Sequence, residues 1–223
     1  MQIDQTRFRL KPDQFFPTEQ KKDLIVLHFT AGTTASGAHA TWITPVNGRQ
    51  QRVATAYVVD LDGTVYEFFP PSAWAYHLGM KTGNPGWIQD KRSIGIEIVN
   101  PGPLKAVGEA LHWYPQNFGV EWCKKTDAKK YVAANYRGYD FYAAFPEAQQ
   151  EAVRELVAQL AERFSIPKVL PPEQKRTAFD PGFFQQFQGI ASHQNLRADK
   201  VDIGPAWDWA ALEGNLPETR CPV

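Results

Sequence analysis

Cysteine is scarce: Cys123 and Cys221 are the only two in 223 residues, too few and too far apart for a disulfide framework or a zinc-finger spacing. The residues alone leave open whether they pair. No apolar run nears the ~20 residues that a membrane span needs, and the opening stretch MQIDQTRFRLKPDQ lacks the apolar segment of a secretory signal. The expectation is therefore a soluble chain, made in the cytoplasm without a signal peptide. Net charge is missing too, since 24 Lys and Arg cancel 24 Asp and Glu. No overall field draws the chain to nucleic acid or anionic lipid. Internal repeats and low-complexity tracts are also absent. What is there belongs to a folded protein: 43% hydrophobic and 22% charged residues lie far from the signature of disorder. The length suits a single domain over residues 1–223 with one substantial core.

Residues 1–23 are polar and punctuated by proline, an N-terminal extension. LIVLHF (24–29) then reads as a strand buried on both faces, because four consecutive apolar residues precede His28 near its end. Gly, Thr and Ser signals follow over 30–52, with a short helix around AHATWI. TAYVVDLDGTVYEFF (55–69) sets two β-branched and aromatic runs around Asp62-Gly63, a strong hairpin signal. After a loop rich in Pro, Gly and Trp (70–92), SIGIEIV (93–99) alternates Ile94, Ile96 and Ile98 against Ser93, Gly95, Glu97 and Val99. That small, polar face, with Glu97 on it, suggests a cleft.

Residues 101–144 carry many aromatics and the basic run KKTDAKK, which reads as a solvated face. They are an excursion from the core. PEAQQEAVRELVAQLAERF (146–164) is the clearest helix. Val153, Leu156, Val157, Leu160 and Phe164 recur at three- and four-residue steps, Pro146 suits the first turn, and Pro167 blocks continuation. Strands followed by one long helix predict an α/β domain, a central mixed sheet flanked by helices.

SHQNLRADKVDIGPAW (192–207) crowds a histidine, a lysine and two aspartates into a stretch punctuated by glycine and proline. A hydrolytic zinc ion takes three protein ligands from His, Asp, Glu or Cys and leaves a position to water. His28 at a strand end, His193 and Asp202 offer such a set. Spacing alone is weak evidence, since a lone histidine at a strand end is more often a hydrogen-bonded core or rim residue.

The order of motifs is more specific. LIVLHFTAG, AYVVDLDGTVYEFFP, AYHLG, SIGIEI and SHQNLRADKVDIGPAWDW, in that order over residues 24–209, resemble the successive motifs of the zinc-dependent N-acetylmuramoyl-L-alanine amidases. That family includes the peptidoglycan recognition proteins and certain phage lysozymes. The resemblance implies one zinc ion in an open groove, held by His28, His193 and Asp202. It implies Glu97 and Lys200 as the catalytic pair, with His77 of AYHLG lining the substrate groove. The implied reaction is hydrolysis of the amide between N-acetylmuramic acid and L-alanine in peptidoglycan. Zinc acidifies water, Glu97 shuttles its proton to the leaving nitrogen, and Lys200 neutralises the developing oxyanion.

This sequence departs from the pattern at three places. Phe29 stands where many relatives carry a second histidine. Ala56 occupies the position of a tyrosine that some relatives use in catalysis, with Tyr57 one step on. The stretch 101–144 is longer than most relatives have there, and could form a groove wall or a partner surface. Trp74 and Trp87 flank His77 and are expected to stack on sugar or stem peptide, whereas Trp207 and Trp209 read as packing. His39 and His112 are given no role.

The expected substrate is peptidoglycan or a muropeptide, and the expected state is a monomer. The enzyme acts on the cell wall if it is a lysin, the favoured reading, or in the cytoplasm if it recycles wall fragments. Two competing readings are a non-catalytic recognition module, which typically loses a zinc ligand, and a zinc peptidase that cuts within the stem peptide.

Overall fold

The structure is a computed structural model and describes residues 1–214; Cys221 lies outside them. In chain order the strands are β1 (Ile3–Asp4), β2 (Leu24–Phe29), β3 (Tyr57–Val59), β4 (Val65–Glu67), β5 (Ser93–Ile98), β6 (Pro103–Val107), β7 (Ala110–Trp113), β8 (Val120–Lys124), β9 (Tyr131–Tyr136), β10 (Tyr139–Ala143) and β11 (Gly189–Ser192). The principal helices are α1 (Ala35–Ile43), α2 (Ile88–Arg92) and α3 (Glu147–Phe164).

The central sheet runs β1-β4-β3-β5-β2-β11. Only the β3–β4 pair is antiparallel, so the sheet is mixed with a parallel centre. Parallel strands covered on both faces need apolar residues on both, and every residue of β2 is buried. Leu24 to Leu27 meet that demand without alternation, which leaves His28 as the polar exception at the strand's carboxyl end. The β3–β4 hairpin turns through Asp60 to Thr64: the Thr64 N–H donates to Asp62 Oδ1 at 2.9 Å, and Gly63 takes φ +86°. A side chain at Gly63 would also meet the Ala148 carbonyl at 2.7 Å, because the turn rests on α3.

Helix α3 buries Val153, Leu156, Val157 and Leu160 against the sheet, in one cluster with Ile25, Leu27, Val58 and Ile96. At ~1.5–3 kcal/mol for each large apolar side chain, this face dominates the helix's stability. Pro146 precedes the first turn as its cap, and Ser165, left-handed at φ +55°, closes the last turn by donating to Ala161 O and Glu162 O. Gln149, a polar residue on the buried face, donates from Nε2 to Val59 O (3.2 Å) and Val99 O (2.8 Å), satisfying carbonyls where β3 and β5 run out.

The extension is tied in. β1 pairs with β4, Phe15 stacks on Phe69, Phe16 stacks on Trp74, and buried Lys22 donates to Lys91 O and Ser93 O at 2.8 and 3.0 Å. Trp207 and Trp209 are buried in the main core, in keeping with a packing role.

Residues 103–143 form a second, wholly antiparallel sheet, β8-β7-β6-β10-β9, around a small cluster of Leu104, Leu111, Cys123 and Ala143. Asn100 fastens its root: Nδ2 donates to Ala143 O and Ala144 O (3.2 and 3.3 Å), and Oδ1 accepts from Gly102 N–H (2.7 Å). β9 and β10 are joined by Arg137-Gly138 alone, both left-handed at φ +47° and +83°. Two such residues are what the tight turn matching a strand pair's twist requires.

Candidate active site

The groups singled out in the sequence gather at the carboxyl ends of three adjacent parallel strands, the edge where open α/β sheets bind ligands. His28 is the fifth residue of β2 and pairs in register with Glu97, the fifth of β5. His193 directly follows β11. There Asn195 shapes a tight helical turn, its Oδ1 accepting from Ser192 N–H and Oγ at 2.8 Å and its Nδ2 donating to the carbonyls of Lys175, Arg176 and Ala178. Asp202 is brought in by the following loop, where the Gln194 N–H donates to its carbonyl at 2.7 Å.

His28 Nδ1 lies 3.0 Å from His193 Nδ1, which is 3.0 Å from Asp202 Oδ2; the third side, His28 Nδ1 to Asp202 Oδ2, is 3.3 Å. Tetrahedral zinc with ligands at ~2.0–2.1 Å sets neighbouring donor atoms ~3.3 Å apart, so the triangle fits such an ion. Proton bookkeeping points the same way. His193 Nε2 faces the Leu78 carbonyl at 2.8 Å and must donate to it, leaving Nδ1 a bare acceptor. His28 Nε2 faces His77 Nδ1 at 2.9 Å, while His77 Nε2 faces Ser93 Oγ at 2.8 Å, and Ser93 in turn donates to Gln89 O at 2.6 Å. Ser93's hydrogen is thus committed, His77 Nε2 donates to it, His77 Nδ1 accepts, and His28 Nδ1 is also bare. Two nitrogen lone pairs and a carboxylate oxygen therefore converge with no hydrogen among them, an arrangement that a cation relieves.

Titration follows burial and neighbours. Burial, then the adjacent His193, push His28 down to about 4, so it is neutral at pH 7, the form a ligand needs. Burial, with His28 and His193 adding to it, also holds His77 well below the usual histidine range. For Asp202 burial acts upward, but the attraction of His193 and His28 in their protonated forms outweighs it and holds the carboxyl below the ordinary range. Glu97 goes the other way: burial, then the Asp202 charge, push it up to about 8, with Lys200 pulling back. Its Oε2 is 4.0 Å from His28 Nδ1.

These groups open into a cavity of about 380 Å³ that His28, His77, Glu97, His193, Lys200 and Asp202 line together with apolar Trp42 and Val53. Gly95, beside Glu97 on β5, is needed here, since a Cβ would meet Thr55 Cγ2 at 2.8 Å and His77 Nδ1 at 3.1 Å. Phe29 borders the cavity and packs its ring against Gly102.

Trp74 and Trp87, expected to stack on substrate, lie apart from the cavity. Trp74 is buried and stacks on Phe16 with centroids 4.0 Å apart, and Trp87 leans edge-on against Tyr76; neither lines the cavity. Trp74 is turned toward the extension and serves the fold, whereas Trp87 stays largely exposed. His77 does more than line a groove, being the outer partner of His28.

Asp90 escaped the sequence reading entirely. Its buried Oδ1 accepts from the N–H groups of His77 (2.8 Å) and Leu78 (3.1 Å), so one carboxylate orients the outer partners of both histidines. No motif marks it, although an acid thirteen residues after His77 in a loop that otherwise lacks one is the available signal.

An open cleft at parallel strand ends, with three clustered acceptors and a partly buried carboxylate beside them, has the groups needed to activate water for hydrolysis. The chain belongs to the N-acetylmuramoyl-L-alanine amidase family, whose model matches residues 18–205. The enzyme is accordingly a peptidoglycan hydrolase acting on the amide between N-acetylmuramic acid and L-alanine. Solved structures share the fold. A selenomethionine derivative of AmpD is 16% identical with TM-score 0.52, covering 96% of this chain and 92% of its own. The endolysin amidase LysCS of Clostridium intestinale is 13% identical with TM-score 0.53, covering 96% and 95%. The amidase AmiD of E. coli, in complex with anhydro-N-acetylmuramic acid-L-Ala-D-γ-Glu-L-Lys, is 17% identical with TM-score 0.52, covering 90% of this chain and 59% of its own. No curated protein sequence matches the chain.

Proposed function

We propose that His28, His193 and Asp202 hold one zinc ion, and that Glu97 and Lys200 complete an amidase site for peptidoglycan or its soluble fragments. The observation that carries this reading is the triangle of three unprotonated acceptors with sides of 3.0, 3.0 and 3.3 Å. When bound there, zinc supplies Lewis acidity and an acidified water at neutral pH. The chain's own groups do the rest. Glu97, once ionised, can take a proton from water in the cavity and return it to the leaving amide nitrogen, which needs one because an amide anion is a poor leaving group; the proton affinity that burial and Asp202 give it makes its carboxylate a stronger base than an exposed one. Lys200, on the same cavity wall, offers a cation to the carbonyl oxygen as it gains charge. His77 and the Leu78 carbonyl fix the histidine ring orientations, and Asp90 fixes both.

All three ligand positions are intact, which favours catalysis over recognition alone. The test is digestion of purified sacculi beside a soluble anhydro-muropeptide, with product masses read for each. Intact stem peptides carrying a free L-alanine amine are expected; fragments cut inside the stem would turn the reading to a peptidase. We propose action on the wall, as a lysin, which requires faster release from sacculi than from the fragment. His193→Ala should lose stoichiometric zinc and all turnover together, and a zinc-free variant of full activity would refute the site.

A further inference from the structure

The inserted sheet lines none of the cavity, yet its tip touches the loop that supplies three of the cavity's charged groups, Asp199, Lys200 and Asp202. From the two-residue turn at the end of β9, the Arg137 guanidinium donates to the carbonyls of both Ala198 and Lys200. One residue back, the Tyr136 hydroxyl lies 3.0 Å from both the Thr177 carbonyl and Gln194 Oε1, the latter being the atom that accepts the Gly204 N–H at 3.1 Å. Tyr142 in β10 donates its own hydroxyl to the Tyr136 carbonyl at 2.9 Å, and its ring abuts Gly204, where a Cβ would sit 3.4 Å from it. The hairpin thus holds the loop on both sides of Asp202, at Lys200 and at Gly204.

The loop's internal contacts are weaker. Between Arg197 and Lys200 they are a 3.3 Å backbone bond and the exposed Arg197–Asp199 ion pair, of a kind worth ~0–1 kcal/mol. Ala198 and Lys200 carbonyls oriented by one guanidinium fix the peptide planes that precede Asp199 and follow Lys200, and with them the direction in which Lys200 and then Asp202 leave the backbone. Charge-assisted bonds from a planar donor suit that task.

We propose, resting on the zinc-amidase reading, that Arg137 with Tyr136 is a positioning clamp for the Lys200–Asp202 loop. The insert is thereby a working part of the active site although it lines none of the cavity.

The test uses the full chain. Zn²⁺ affinity is measured against a chromogenic chelator, the absorption spectrum is recorded with Co²⁺ in the site, and kcat and KM are taken on a soluble muropeptide. Arg137→Ala is expected to weaken Zn²⁺ ~10- to 100-fold, the usual cost of removing a support behind metal ligands, to alter the Co²⁺ spectrum, and to lower kcat with little change in KM. Arg137→Lys, which keeps the charge and can serve one carbonyl, should recover part of both losses. A purely structural role would lower thermal stability and leave metal affinity, spectrum and kcat of the folded protein as in wild type, and that result overturns the clamp. Should Arg137→Ala not fold, Tyr136→Phe and Arg137→Lys carry the same comparison, and wild-type values in both overturn it equally. A wild-type protein that binds no zinc overturns the site reading and the clamp with it; wild-type binding with an unaffected Arg137→Ala overturns the clamp alone.

Discussion

The central sheet and the inserted sheet solve the same problem, covering apolar strand residues, at different scales. β2, β5 and β11 lie beneath helix and loop on both faces, and nearly every residue in them is buried. The inserted strands β6 to β10 share a core of four buried residues, and most of their other positions reach solvent. A dry, parallel centre holds groups rigidly and shifts their titration, which suits ligands and a proton shuttle. A half-wet antiparallel sheet does neither, and here it acts through backbone carbonyls of a neighbouring loop instead. Rigidity and reach have been divided between the two.

The largest break in that comparison comes from Leu156→Asp. An unpaired charge in the main core should cost several kcal/mol and abolish the cooperative transition in circular dichroism. Val107→Asp on the exposed flank of the insert should stay within ~0.5 kcal/mol of wild type. A folded Leu156→Asp protein would mean that the long helix is dispensable. Next in size, Glu97→Gln should keep zinc bound yet cut turnover at least ~10²-fold, as loss of a general acid–base does; a near-normal rate moves the proton shuttle to another group.

His77→Ala removes the partner of His28 Nε2 and should weaken zinc by ~10- to 100-fold without unfolding the chain. Unchanged affinity would reduce His77 to a lining residue. The subtlest effect, with no change in activity, concerns buried Lys22, whose ammonium burial pushes from 10.5 down to about 7. The folded state binds fewer protons there than the unfolded chain between those values, so this group makes stability rise with pH across that window. Lys22→Met should flatten the rise in denaturant titrations at pH 7 and 10, whereas the exposed Lys124 and Lys130 of the insert, replaced likewise, should not; equal slopes in all three variants would contradict the burial argument.

Legibility followed the same division. The unbroken apolar run before His28 and the alternation around Glu97 announced buried strands, and the three-four spacing of α3 announced its core face. Asp62-Gly63 announced the hairpin, although the turn spans more residues than its two-residue motif. The insert was opaque because its strands are short and half exposed, and register shifts at Leu111/His112 and Tyr139/Phe141 break the two-residue period. Within the site, His193 and Asp202 were readable only through the order of motifs, since the short helical turn and loop between them carry no periodic signal. Trp74 misled because an aromatic ring beside a catalytic loop has the same letter whether it faces substrate or a neighbouring phenylalanine.

By itself the sequence determined which segments must be buried and which side chains have the chemistry of ligand, base and cation, because burial pattern and functional group are properties of residues. Only the tertiary structure decided which lone pair each histidine presents, which carbonyl supports it, and that Asp90 and Arg137 stand behind the site. Those outcomes depend on backbone atoms that every residue shares, and on distances closed between segments more than sixty positions apart. No single stretch of residues encodes them.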